Sequence, residues 1–121
     1  MISYLCEYVI QYLPDSIAPK FVGELPSLSD EGVAVMLSDG DINTMYFGMP
    51  ETIIRPILKF VIRTKEYSKG AMWSQLLKDT FNRFSTDKID GMYFSGSILY
   101  LGRNEEKLHE FQLIFETIVK E

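Results

Sequence analysis

Apolar positions along the chain follow two periods, and the switch from one to the other marks the elements. From Ile2 to Leu13 the period is helical: Ile2, Leu5, Cys6, Val9 and Leu13 share one stripe, and Tyr4, Tyr8 and Tyr12 form a second. Pro14 and Asp15 end the helix. Neither stripe is polar, which leaves two explanations. Either a sheet covers one side and the tyrosine rings lie at its rim, or the helix is part of a subunit interface. The stretch from Ile53 to Thr64 alternates instead, with Leu58, Phe60 and Ile62 on one face and Ile57, Lys59, Val61 and Arg63 on the other. Pro56 belongs at the beginning of this strand, because a proline inside it leaves a ladder bond unmade.

Between these two, Ser16 to Gly32 reads as a linker punctuated by Pro19, Gly23 and Pro26. Val33 to Leu37 is a short β-branched strand running into the turn Ser38-Asp39-Gly40-Asp41, and Ile42 to Glu51 is a looser segment. A second helix is expected from Tyr67 or Ser68 to Phe84, where Trp73, Leu76, Leu77, Phe81 and Phe84 recur at helical spacing opposite Gln75, Lys78, Asp79, Asn82 and Arg83. Gly70 weakens its first turns slightly; it either permits close approach of another backbone or is simply tolerated. Met92 to Phe94 and Ser97 to Leu101 read as two short strands around Gly96, and Gly102-Arg103-Asn104-Glu105 as a turn. His109 to Val119 closes the chain as a strand with Phe111, Leu113, Phe115, Thr117 and Val119 on one face. This order gives the fold class: α+β, a two-layer sandwich of a mostly antiparallel sheet with helices packed on one face. The second sheet face keeps enough apolar residues to want a partner.

Composition narrows the class. A chain of 121 residues matches one domain, spanning 1–121. The balance of 46% hydrophobic to 24% charged residues excludes a disordered or fibrous chain. A formal net charge of -5 opposes non-specific binding to nucleic acid or to an anionic membrane. The basic series Arg55, Lys59, Arg63, Lys65 and Lys69 is broken by apolar residues and reads as the polar side of a strand and a turn. Cys6 is the only cysteine, so no intrachain disulfide forms, as suits an intracellular protein. Met1 to Leu13 carries Glu7, has no basic leader and is too short to span a bilayer.

Catalytic chemistry finds little to stand on. The single histidine, His109, begins the last strand with Glu110 on the opposite face, and Cys6 sits on an apolar helical stripe. No phosphate-binding glycine motif occurs. Asp39, Asp41 and Glu51 are the one acidic group that suits a hard cation such as magnesium, against the plainer reading of Asp39-Gly40-Asp41 as a solvated turn. Asp87 and Asp90 have the same plain reading. The expectation is therefore no catalytic, cofactor or metal site and no enzyme, with a small metal-dependent hydrolase on Asp39, Asp41 and Glu51 as the rival.

The order of motifs carries a resemblance. Phe21-Val22-Gly23-Glu24-Leu25-Pro26 leads through Asp30 into Val33-Ala34-Val35-Met36-Leu37 and Ser38-Asp39-Gly40. Ile57 to Phe60 continues through Val61-Ile62-Arg63 to Glu66-Tyr67-Ser68, Ala71 and a helix reaching Leu77. Ser97-Ile98-Leu99-Tyr100-Leu101-Gly102-Arg103-Asn104-Glu105 precedes the last strand. Over residues 1–121 this resembles the small tail terminator proteins of long-tailed bacteriophages and prophages, a minor capsid protein family. Each motif is weak alone; the order and spacing carry the likeness. Pro56 and the chain's end soon after the last strand depart from longer relatives.

The resemblance implies a structural virion protein of α+β fold without cofactors. It implies assembly into a hexameric ring that caps the tail tube and joins it to the head connector. Its partners are then further copies of itself, the tail tube protein and the head-tail connector. Its place is the virion tail, and the host cytoplasm during assembly. Arg63 matches the family's strand-end arginine; the competing reading is an arginine closing the strand against Glu66. Loops Asp39 to Pro50 and Asp87 to Gly96 become candidates for ring or tube contacts. Other readings stay open: a head-tail connector or stopper subunit, or an adaptor domain that takes a peptide strand at a sheet edge.

Overall fold

A computed structural model gives the fold, described for residues 4–23, 25–26, 30–37, 53–54 and 56–120. Two helices and six strands follow in the order α1 (Leu5–Ile10), β1 (Lys20–Val22), β2 (Gly32–Leu37), β3 (Ile53–Ile54), β4 (Ile57–Thr64), α2 (Tyr67–Phe81), β5 (Ile89–Arg103) and β6 (His109–Lys120). The strands form one sheet, and the helices pack on it as the second layer: α1 against β1 and β2, α2 against β4, β5 and β6. The α+β two-layer sandwich expected from the periodicity is the architecture observed.

β4 shows why. Its odd residues are half-buried and its even residues, Leu58, Phe60, Ile62 and Thr64, are buried, so the alternation in the sequence is the alternation of the sheet's two faces. β6 pairs with it antiparallel and matches face to face: Leu58 lies opposite Phe115, Phe60 opposite Leu113 and Ile62 opposite Phe111. Trp73, Leu77 and Phe81, one stripe of α2, close over this face. Leu5, Val9, Leu13 and Ile17 extend the core toward β1 and β2.

Several boundaries differ from those expected, each for a local reason. α1 ends at Ile10; its apolar spacing persists to Leu13 because Tyr12 and Leu13 donate tighter bonds to Val9 and Ile10. Ile2 lies outside the described residues. Tyr4 and Tyr12 are exposed, while Tyr8 is half-buried and donates to Thr86 Oγ1 at 2.8 Å. Ser16 to Gly32 is not wholly a linker: it contains β1, which pairs parallel to β2, the one parallel pair among the described residues. α2 stops at Phe81, since Asn82 turns extended and Phe84 bridges to Met92 instead. The two short strands around Gly96 are one strand, β5, which bulges between Ser95 and Leu99 where Gly96 takes φ +78°.

Pro56 stands immediately before β4, as expected, yet pairing resumes ahead of it. Ile54 lies opposite Val119 and Ile57 opposite Glu116, three residues on each strand, so β3 and β4 share one register on β6. Thr117 N–H donates to the Pro56 carbonyl at 3.0 Å, and proline has no N–H to return. Thr117 is fully buried among the apolar residues of β6, and its hydroxyl has no hydrogen-bond partner. Thr117→Val keeps the shape and removes the unpaired group. Chemical denaturation is expected to show the variant more stable by about 1 kcal/mol; a loss of stability would mean that the hydroxyl is satisfied.

Candidate functional site

Both helices lie on one side of the sheet, and among the described residues no second layer covers the other side. That face carries Ile57 and Val61 of β4 and Ile114 and Ile118 of β6, and β5 adds Tyr93 opposite Glu116 and Leu99 opposite Gln112. Lys59, Gln112 and Glu116 interrupt this surface without making it polar. The second apolar face anticipated from the alternation is therefore present and half-exposed.

The same strand, β5, forms one edge of the sheet. Its first half is closed by the chain itself: Met92 exchanges backbone bonds with Arg83 and Phe84, and Phe94 N–H donates to Asn82 Oδ1 at 3.1 Å. Beyond Phe94 no described segment pairs with that edge. Leu99, Tyr100 and Leu101 are 49%, 40% and 47% exposed there, where a two-faced strand should bury every second residue. An uncharged apolar edge of this kind is a template for strand pairing. The sequence signal was an apolar run, Ile98 to Leu101, between Gly96 and Gly102; reading it as an ordinary short strand missed its exposure.

Arg63 is held by a carboxylate, but not by Glu66. Its Nε lies 2.9 Å from Glu110 Oε2, its cross-strand partner, and its Nη1 donates to the Pro26 carbonyl at 2.9 Å. This joins β4, β6 and the segment before β2, and a hollow of about 200 Å3 lined by Arg63, Asn104, Glu105 and Glu106 opens beside it. Nearby, Glu31 accepts from Lys69 Nζ at 2.7 Å and from Lys65 N–H at 3.1 Å. Desolvation pushes the Glu31 carboxyl up, but these two bonds and the lysine charges outweigh it and hold the group below its ordinary value. With Lys65 also 3.6 Å from Asp30, three members of the basic series, Arg63, Lys65 and Lys69, are held in ion pairs, while Arg55 lies outside the described residues.

His109 does not meet a nucleophile and an acid. Tyr100 OH lies 2.7 Å from its Nδ1, and Tyr67 packs edge-on to both rings and against Phe111. Glu110 is committed to Arg63. Cys6 is half-buried at a hollow of about 190 Å3 lined by Tyr4, Glu7, Val22, Met36 and Leu37, among others. Burial, and to a lesser degree the Glu7 charge, raise its thiol pKa and keep it a poor nucleophile. Among the described residues no group of three or more His, Cys, Asp or Glu side chains is placed to hold a metal ion. Asp39, Asp41 and Glu51, with the loop Asp39 to Pro50, lie outside them. Of the second candidate loop, Asp87 to Gly96, the residues from Ile89 onward belong to β5. Asp87 and Asp90 are exposed. No described helix is long and apolar enough to cross a membrane.

No protein-family model matches this chain, and no curated protein matches it. Among solved structures, a chain of one described as "Virion of native gene transfer agent (GTA) particle" is similar with a TM-score of 0.52. The similarity covers 84% of this chain and 78% of that one at 10% sequence identity. At that identity the likeness is one of fold.

Proposed function

We propose that this chain, acting as a single unit over 1–121, is a structural subunit of a phage-type particle: a tail terminator that assembles as a hexameric ring. The ring caps the tail tube and joins it to the head connector by shape and subunit contacts, with no covalent chemistry. One observation carries the reading. Among the described residues an apolar sheet face and an apolar sheet edge are left uncovered on a 14.0 kDa chain, which is the surface demand of a subunit with neighbours on more than one side. The fold shared with a chain of a gene transfer agent virion and the order of motifs from Phe21 to Glu105 support it. The protein would then reside in the virion tail, and in the host cytoplasm until assembled.

Negative-stain electron microscopy of the purified protein, alone and mixed with a phage tail tube protein, tests this. Six-fold rings, or tubes capped at one end, are the expected result. Binding to portal-side assemblies and not to tube ends would move the protein to the connector role. Unchanged monomers in every mixture would overturn the assembly reading.

A further inference from the structure

Two features at opposite ends of the sheet fit one another. At one end, Val33 N–H donates to the Pro19 carbonyl and Gly23 N–H to the Val35 carbonyl, so the odd-numbered backbone groups of β1 face β2. Those of Lys20 and Val22 consequently point outward, and Val22 is 47% exposed. Beside them opens the 190 Å3 hollow behind Tyr4, Cys6 and Leu37, smaller than a small-molecule pocket and of a size for one or two side chains. At the other end, β5 offers an open edge beyond Phe94 with Leu99, Tyr100 and Leu101 standing out of it. From Gly91 to Gly102 β5 has no charged residue, and Arg103 follows. Glu7 stands on the rim of the hollow. Neither Arg103 nor Glu7 has an ion-pair partner among the described residues.

We propose that the open edge of β5 docks head-to-tail on β1 of a second copy of this chain, with Leu101 entering the hollow and Arg103 meeting Glu7. Strand directions permit it without reversal. β1 runs parallel to β2, and three antiparallel pairings then lead through β4 and β6 to β5, so β5 runs antiparallel to β1 within one sheet. A copy placed alongside in the same orientation therefore sets its β5 antiparallel to β1 and prolongs the sheet. The contact joins two different patches, the heterologous kind that forms a ring where the rotation between copies closes. A two-fold pairing of β5 with itself would occupy the same edge but leave the hollow, Glu7 and β1 unused. The contact deepens the ring-assembly reading and rests on it for closure, while its test needs no tail.

Cys6 lines the hollow and makes the contact readable. In Leu101→Cys, oxidised at millimolar protein concentration, head-to-tail docking links Cys6 of each copy to position 101 of the next. The expected product is a ladder of dimers, trimers and higher species, abolished by Cys6→Ser in the same chain. Products that stop at dimers and survive Cys6→Ser would mean that β5 pairs with itself; absence of any link would mean that the edge does not meet the hollow. Either result overturns the proposal. Charge exchange provides a second readout that leaves Leu101 in place. Glu7→Arg and Arg103→Glu should each weaken self-association severalfold in sedimentation, and the double exchange should restore it. Two singles without effect would overturn the pairing of these residues. A ladder from a protein that caps no tube would keep this contact and discard the terminator role, and capping without the ladder would do the reverse.

Discussion

Phe60→Ala is expected to cost about 3–5 kcal/mol of stability. Phe60 is fully buried in the middle of β4, between Val35 of β2 and Leu113 of β6 in the register. Its ring stacks on Phe81 of α2 at 5.4 Å and meets Phe115 of β6 edge-on at 5.5 Å, so it touches both layers. Removing it leaves a cavity walled by two rings that are themselves fixed by Phe84 and Phe94, and the site has little room to collapse. Urea unfolding should show a lower midpoint with an unchanged slope. The neighbouring Val61→Ala, on the uncovered face, should cost about 1 kcal/mol or less. If the two losses are alike, the assignment of the core to one face is wrong.

That contrast between neighbours is legible in the amino-acid order alone, because strand alternation is a local property. Leu58, Phe60 and Ile62 announce a buried face by their period, and Trp73, Leu77 and Phe81 do the same for the helix that covers it. Features set by distant partners are not legible in this way. Lys20-Phe21-Val22 is too short to have a period, and it becomes a strand only because β2 lies beside it. Gly96 reads as a break between two strands, yet at φ +78° it lets one strand bulge and continue. Arg63 invites pairing with the nearby Glu66, whereas its carboxylate is Glu110, 47 residues away and cross-strand. The candidate assembly surface is half legible for the same reason. Its apolar residues show as an alternating face, but the exposure of Leu99 to Leu101 depends on where Asn82 to Phe84 stop covering β5.

Gly70→Ala sets helix propensity against packing, and packing is expected to win. Gly70 is in the first turns of α2, where alanine by itself would favour the helix by about 1 kcal/mol. An added Cβ, however, would sit against the Phe111 ring and 2.6 Å from Thr64 Oγ1. Neither neighbour has room to retreat. Phe111 is 2% exposed and flanked by Tyr67 and Tyr100, and Thr64 is fully buried with its hydroxyl donated to the Glu66 carbonyl at 2.7 Å. Relief would require α2 to lift off β4 and β6, a cost of overpacking of about 1–3 kcal/mol that exceeds the propensity gain. The expected outcome is net destabilisation, with a changed near-ultraviolet circular dichroism signal from the Tyr67, Tyr100 and Phe111 cluster. A neutral or more stable Gly70→Ala would show that the helix stands further from the sheet than these contacts require.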